Sequence, residues 1–276
     1  MYREQLSSSS MKKTLLLLFL ASSCIAFSQA PVDGFYKGKG HLDLGLSAGY
    51  EMSSKYFAGT DKIALGRDII SASIFAGYGI TDRLDVYASV PYVQINKVQG
   101  LQDGSLYLKF RAFEKDLEHA RISISLAAGG LTNLTDYETE GGSAIGQQAK
   151  TLDLRPILHY QCHSGLFFTA QGAYLLKSDP TPSAINAALK VGYAAPSYYL
   201  DVWYAHQTSD GGLNYRGDDL INSFKQLGVD YHKAGLTFYK PFSNKLGGFA
   251  NASYVLSGRN ISQGTGFGIG LVWKAL

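Results

Sequence analysis

His41-Leu42-Asp43-Leu44-Gly45-Leu46-Ser47-Ala48-Gly49-Tyr50-Glu51-Met52 alternates without a fault. Leu42, Leu44, Leu46, Ala48, Tyr50 and Met52 fall on one face, and His41, Asp43, Gly45, Ser47, Gly49 and Glu51 on the other. A period of two is the signature of an extended strand with one apolar face. Strands of about 9–12 residues cross a bilayer, whereas soluble strands commonly run about 5–6.

Working outward, the pattern recurs. Apolar stripes run through Ile70 to Ile80, Leu84 to Tyr92, Leu106 to Ala112 and Ile122 to Ala128. They continue through Leu152 to Tyr160, Leu166 to Leu176, Ile185 to Tyr193 and Leu200 to Tyr204. The last are Ala234 to Phe238, Gly248 to Leu256 and Phe267 to Trp273, and the tenth of the series is weak at its start. About twelve strands result, an even number that suits a single-chain antiparallel up-and-down barrel. Long connections at Ser53–Gly66, Gly130–Gln148 and Thr208–Phe224 alternate with tight ones at Thr81-Asp82-Arg83, Ala195-Pro196-Ser197 and Pro241–Lys245. Long outer loops and short inner turns are the habit of membrane barrels. Glu114–Ala120 is long for an inner turn, and Asp179–Ser183 short for an outer loop.

A soluble β-sandwich alternates too. The aromatic residues count against it. Tyr50, Tyr92, Tyr174, Tyr204 and Tyr254 lie on the apolar face near one end of the strands, and Tyr78, Tyr160, Tyr193 and Trp273 near the other. Two belts of amphipathic rings match two membrane interfaces. The fold class is therefore all-β, a membrane-spanning barrel over 31–276.

Composition agrees. Charged residues are 17% of the chain, with 31 glycines, 19 tyrosines and seven prolines. Mean hydropathy is near zero, so no polytopic helical membrane protein is implied. A net charge of +3 gives no reason to expect nucleic acid as a partner. Met11-Lys12-Lys13, the apolar run Thr14 to Ala21 and the small residues to Ser28-Gln29-Ala30 form a secretory signal, too short to span. Residues 1–30 are read as an upstream extension with Met11 as the better start, followed by a leader cut near Ala30. A lipidated Cys24 is the weaker reading, because Leu20 stands four residues before it. After cleavage only Cys162 remains, so no internal disulfide is expected. The expected location is the outer membrane of a Gram-negative bacterium. The expected partners are its lipid and lipopolysaccharide, the barrel-assembly machinery and a small solute.

Parity also chooses the inward face. It holds Asp43, Glu51, Asp85, Lys109, Arg111, Asp153, Arg155, His159, Gln171, Asn186, Lys190, Asp201, Gln207, Lys233, Thr237 and Asn251. Both signs of charge are present, so they can line a narrow path or plug it with ion pairs. Lys109 and Arg111 share a face at a spacing of two, as do Asp153 and Arg155. Two readings apply: a selectivity constriction for anionic or polar-aromatic solutes, or structural ion pairing, which a narrow lumen favours.

Tyr78-Gly79-Ile80-Thr81-Asp82-Arg83-Leu84-Asp85 followed by Val90-Pro91-Tyr92-Val93 resembles the outer-membrane family of the meta-pathway of phenol degradation, a transporter-like barrel. Gly100-Leu101-Gln102-Asp103-Gly104, leading into a strand with Lys109, is similar to that family's next element. The resemblance implies passage of small hydrophobic or aromatic compounds. The ending Trp273-Lys274-Ala275-Leu276 departs from the terminal aromatic common in such barrels.

Three functions follow in order: a channel or transporter for small solutes, a structural or adhesive barrel with a plugged lumen, and a surface lipid hydrolase. The last would need His206 with Ser209, or His163 with Ser164, in spacings that match no esterase signature. His41, His119, His159, His163, His206 and His232 show no metal-ligand spacing. Asp210, Asp218 and Asp219 read as a solvated loop. The glycines of 264–270 sit on a strand with no helix after it, which excludes a phosphate cradle. No cofactor and no enzymatic activity are expected.

Overall fold

A computed structural model describes residues 31–275; the expected leader and upstream extension, read over 1–30, lie outside these. Thirteen antiparallel strands follow in order: β1 (Leu42–Ala58), β2 (Asp61–Thr81), β3 (Leu84–Ile95), β4 (Val98–Leu101), β5 (Asp103–Asp116), β6 (Ala120–Asn133) and β7 (Thr151–Cys162). After them come β8 (Leu166–Lys177), β9 (Ala184–Ala194), β10 (Tyr199–Ser209), β11 (Asp230–Pro241), β12 (Leu246–Arg259) and β13 (Ile261–Lys274). Apart from β4 and β5, which do not pair with each other, each pairs with its chain neighbours, and β1 also pairs with β13 from Asp43↔Lys274 to Phe57↔Ile261, which closes the sheet. β3 pairs with β5 through Ser89 and with β4 from Tyr92 onward, so β4 and β5 form one stave and the thirteen strands make twelve staves. They meet at Gln102, whose N–H donates to the Pro91 carbonyl at 2.9 Å. The chain ends are stitched at the closing seam by Ala275 N–H to Leu42 O at 2.8 Å.

Parity sorts the residues. Ile269 is 66% exposed, Val202 62% and Ile74 61%, while Asp85 and Lys109 are wholly buried. A soluble protein does not display so continuous an apolar exterior over a charged interior; a bilayer supplies the missing solvent. Tyr50, Tyr78, Tyr160, Tyr174, Tyr254 and Trp273 are exposed on that exterior, and Tyr92, Tyr193 and Tyr204 half-exposed. Tyr50 and Tyr92 donate to Asp68 (3.1 Å) and Gln99 (2.9 Å), the polar handle expected of an interfacial ring.

Several connections differ from expectation. The segment Ser53–Gly66 is no loop: β1 and β2 run on as a hairpin to a turn at Gly59-Thr60. Glu114–Ala120 shrinks to Leu117-Glu118-His119, closed by Leu117 N–H to Ala120 O at 2.7 Å. Strand ends outside the bilayer have no lipid on either face, so nothing imposes alternation there. The weak start of the tenth apolar stripe is a bulge between His232 and Lys233 in β11, which breaks the parity.

Glycines on β1 and β13 serve the interior. A Cβ on Gly45 would lie 2.0 Å from the Phe75 ring, and one on Gly270 2.3 Å from the Phe249 ring. These rings lie over bare backbone and build an inner-end core with Phe167, Tyr199, Tyr239 and Val272.

Ile269 sits between the two belts on β13, opposite Ala48 and Ala250. Ile269→Arg is expected to destabilise the folded barrel in bilayers by about 2–4 kcal/mol, and Ile269→Leu to be near neutral. Urea unfolding in lipid vesicles reads the difference; equal stability of the two variants would contradict the membrane-facing assignment.

Candidate functional site

Residues 31–41 carry no periodicity, and they are not a strand. Gly38 and Gly40 take left-handed φ values of 82° and 81°, a backbone that glycine adopts without strain. This turns the chain back under the barrel's inner rim. Gly40 N–H donates to Gly79 O at 2.8 Å, and Gly79 N–H to His41 O at 3.0 Å. Upstream of the turn the chain enters the lumen, where Val32, Asp33, Tyr36 and Lys37 are buried.

The inward charges grip this plug. Lys109 Nζ donates to the carbonyls of Asp33 (3.0 Å) and Phe35 and to Tyr87 OH (3.0 Å), and lies 3.4 Å from Asp85. Lys190 pairs with Asp33 at 2.8 Å and with Asp201 at 3.3 Å. Gln171 Nε2 donates to Val32 O at 2.8 Å. Lys37 reaches Asp43 at 2.6 Å, and its N–H donates to Asp85 at 3.2 Å. The Tyr36 ring lies under Lys109 (3.9 Å) and Arg111 (4.1 Å), and its hydroxyl donates to Ser125 at 2.8 Å. Phe35 packs edge-on against His159 at 4.5 Å and Phe167 at 5.1 Å. A Cβ on Gly34 would fall 2.3 Å from His159 Nδ1, so only glycine passes there.

Thus Lys109 and Arg111, one of two alternatives as a selectivity constriction, face a segment of the protein's own chain. The rest of the predicted inward set divides by height. Asp153 pairs with Arg155 at 2.8 Å and accepts from Tyr107 at 2.9 Å, and Arg155 donates to Asn186 at 3.2 Å. Glu51 and Lys233 pair at 3.2 Å, half-buried, nearer the outer end. Arg111 also pairs with Glu114 toward the inner end. Thr237 and Gln207 are buried, and Asn251 is half-buried.

Outer connections roof the other end. The 134–150 segment folds inward: Tyr137 OH donates to Asp103 at 2.6 Å, Gln102 Nε2 to Ile145 O at 3.0 Å, and Arg67 Nη2 to Ala144 O at 2.8 Å. Tyr137 and Ile145 cluster with Val93 and Ile95. The 210–229 segment lies against it. Glu140 accepts from Ser223 Oγ (2.6 Å) and Phe224 N–H (2.8 Å), and Gln147 Nε2 donates to Leu227 O (2.8 Å). Burial works against the Glu140 anion, but these donors hold its carboxyl below the usual range. Asn260, at the β12–β13 tip with φ 53°, accepts from Gly59 (3.0 Å) and Tyr215 (2.8 Å) and donates to Gly228 O (2.7 Å). No periodic signal marks any of these residues.

Among the described residues two solute-sized cavities lie under the roof, the second reaching the plug segment at Pro31. One, of 380 Å³, opens against β1–β3 and β12–β13; the other, of 430 Å³, holds Pro31, Asp103, Asp153, Arg155 and Lys177. Both reach Gln102 and Tyr231.

His206 and Ser209 do not meet as a catalytic pair. His206 stacks on His232 at 4.3 Å and contacts Thr208 Oγ1 at 2.9 Å, while Ser209 Oγ donates to Val229 O at 2.9 Å. His163-Ser164 forms the turn between β7 and β8. Among the described residues no group of three or more His, Cys, Asp or Glu side chains forms a metal site.

No family model matches this chain, and no curated protein matches it in sequence. Among solved structures it is similar to the COG4313 outer membrane channel from Pseudomonas putida F1, with 14% identity, 90% of this chain and 100% of that one covered, and a TM-score of 0.70. It is also similar to the NanC porin, with 10% identity, 84% and 99% coverage, and a TM-score of 0.52. At these identities the shared property is the fold: a closed outer-membrane barrel.

Burial pushes the Asp33 carboxyl up, but Lys190, His159 and Lys109 outweigh it and hold it at about 2, against an ordinary 3.8. A lowered carboxyl contributes stability above its free value and loses it as pH falls toward the bound one. Docking of the plug is therefore expected to hold from neutral pH to about 4 and to weaken between about 4 and 2. A nitroxide at Lys39→Cys in a Cys162→Ser background reads this as line sharpening in that window. Asp33→Asn should weaken docking at neutral pH by about 1.5–3 kcal/mol, the worth of a charge-assisted bond, and remove the acid dependence.

Proposed function

We propose that this protein is an outer-membrane channel for small solutes whose resting lumen is closed by its own N-terminal segment. The carrying observation is the pair of solute-sized cavities under the roof of a lumen whose inner part is plugged through polar contacts. A barrel meant only as a scaffold has no need for solute-sized space beneath its roof. The fold shared with the COG4313 channel supports the reading. The motif Tyr78 to Val93, with its likeness to the phenol meta-pathway family, favours hydrophobic or aromatic solutes. Outer-membrane lipid, lipopolysaccharide and the assembly machinery are the proposed surroundings.

Plug and roof together favour a second reading, a closed structural or adhesive barrel. Planar-bilayer recording separates the two. The wild-type barrel should show small conductance steps, and Gly34→Val, which sets a side chain against His159, should enlarge them several-fold. Deleting 31–35 should do the same. Barrels that fold but conduct in none of these forms would overturn the channel and leave the scaffold.

A further inference from the structure

The 380 Å³ cavity has an unusual lining. One wall is apolar, formed by Ile69, Val93 and Ile95 of the β2–β3 pair and by Ile145 from the roof. The facing wall carries only short polar side chains, Ser71, Asn251 and Ser253, laid over the backbone of Gly49, Gly266 and Gly268. They lie close to it: a Cβ on Gly266 would lie 2.9 Å from Ser253 Oγ, and one on Gly268 2.8 Å from Asn251 Oδ1. The space left is a slot between a greasy face and a shallow polar one, suited to a ring or a short alkyl chain.

Charge is not balanced in the slot. Glu51 is matched by Lys233 at 3.2 Å. Arg67, on the same lining, has no carboxylate within 4.0 Å among the described residues. Its guanidinium contacts are neutral: Nη2 to Ala144 O at 2.8 Å, Nη1 to Ser262 Oγ at 3.4 Å, and the Tyr56 ring at 5.9 Å. Its Nε is buried without a hydrogen-bond partner, as is Ser47 Oγ at the inner end of the same cavity. Glu51 attracts this guanidinium only from beyond salt-bridge distance and is already held by Lys233. A half-buried guanidinium with a spare donor and no carboxylate in direct contact is a receptor for an anion, since Arg matches a carboxylate with two parallel N–H donors.

We propose that this cavity binds a small organic monocarboxylate with an aromatic or short aliphatic body, the carboxylate on Arg67 and the body in the slot beneath it. The inference names a solute class for the channel reading and rests on it only in taking the ligand to arrive from outside. It gives Arg67 the selecting role that sequence parity offered to Lys109 and Arg111.

Benzoate and benzyl alcohol, an acid and a neutral analogue of similar size, test it by calorimetric titration of the refolded full barrel in detergent. Benzoate should bind saturably at one site, at least tenfold more tightly than benzyl alcohol. Arg67→Gln should abolish that preference, Arg67→Lys should keep part of it, and Lys177→Gln in the other cavity should leave it intact. Equal binding of acid and alcohol, no saturable benzoate binding, or a preference that survives Arg67→Gln would overturn the site. Heat-modifiable gel mobility reports folding. If Arg67→Gln does not fold, the wild-type preference and Arg67→Lys decide. Conductance measured on the same preparations keeps the two claims apart: a barrel that conducts without preferring benzoate refutes only the site, and one that binds without conducting refutes only the channel.

Discussion

A sheet inside a bilayer meets no water at its edges, so its backbone must be paired all the way round. Everything else here follows from that closure. Twelve staves enclose a lumen between the filled eight-stranded barrels and the open sixteen-stranded ones. Alternation then forces half of each strand inward. Lys109, Asp85, Lys190 and Asp201 thus come to lie in a space too narrow to hydrate them freely, and an unpaired charge there costs several kcal/mol. Part of the compensation comes from the opposite wall and part from the segment that precedes the first strand. The two carbonyls and one carboxylate that residues 33–35 bring to Lys109 and Lys190 are polar partners that the wall alone does not supply.

The outer half is arranged differently. Two connections and two hairpin tips meet over the mouth, and Asn260, Glu140 and Gln147 bond mainly to backbone groups. Such contacts fix the shape of loops whose hydrophobic contribution is small, chiefly Tyr137 and Ile145 against Val93 and Ile95. They also leave solute-sized space below, because β13 contributes glycine where other staves contribute side chains. At the inner end the Phe249 ring covers Gly270, as Phe75 covers Gly45 of β1, and short polar groups cover Gly266 and Gly268 at the outer end. The same residue type thus seals one level of the barrel and opens another.

The sequence carried the wall clearly. Alternation located every stave, since the membrane enforces period two wherever a strand crosses it. It failed where that constraint ends, at the hairpin extensions 53–66 and at the bulge beside Lys233. The inward residues were legible by parity, but their partners were not. Nothing in Asp33-Gly34-Phe35-Tyr36-Lys37 alternates, and contacts between residues 76 and 157 positions apart leave no local trace. The available signals were the glycines at 34, 38 and 40 and the charges between them, too dense for an idle linker. Arg67 escaped for another reason: its meaning lies in the absence of a carboxylate, which only three-dimensional neighbours reveal.

The glycine turn at 38–40 ties the plug to the first stave. Released, about ten residues at roughly 3.3–3.6 Å each can carry it little more than 30 Å from its seat. Recapture is therefore a first-order event, with a local concentration on the millimolar scale that dilution cannot lower. The lifetime of any vacancy belongs to the tether, not to the surroundings. Such a barrel would flicker rather than switch.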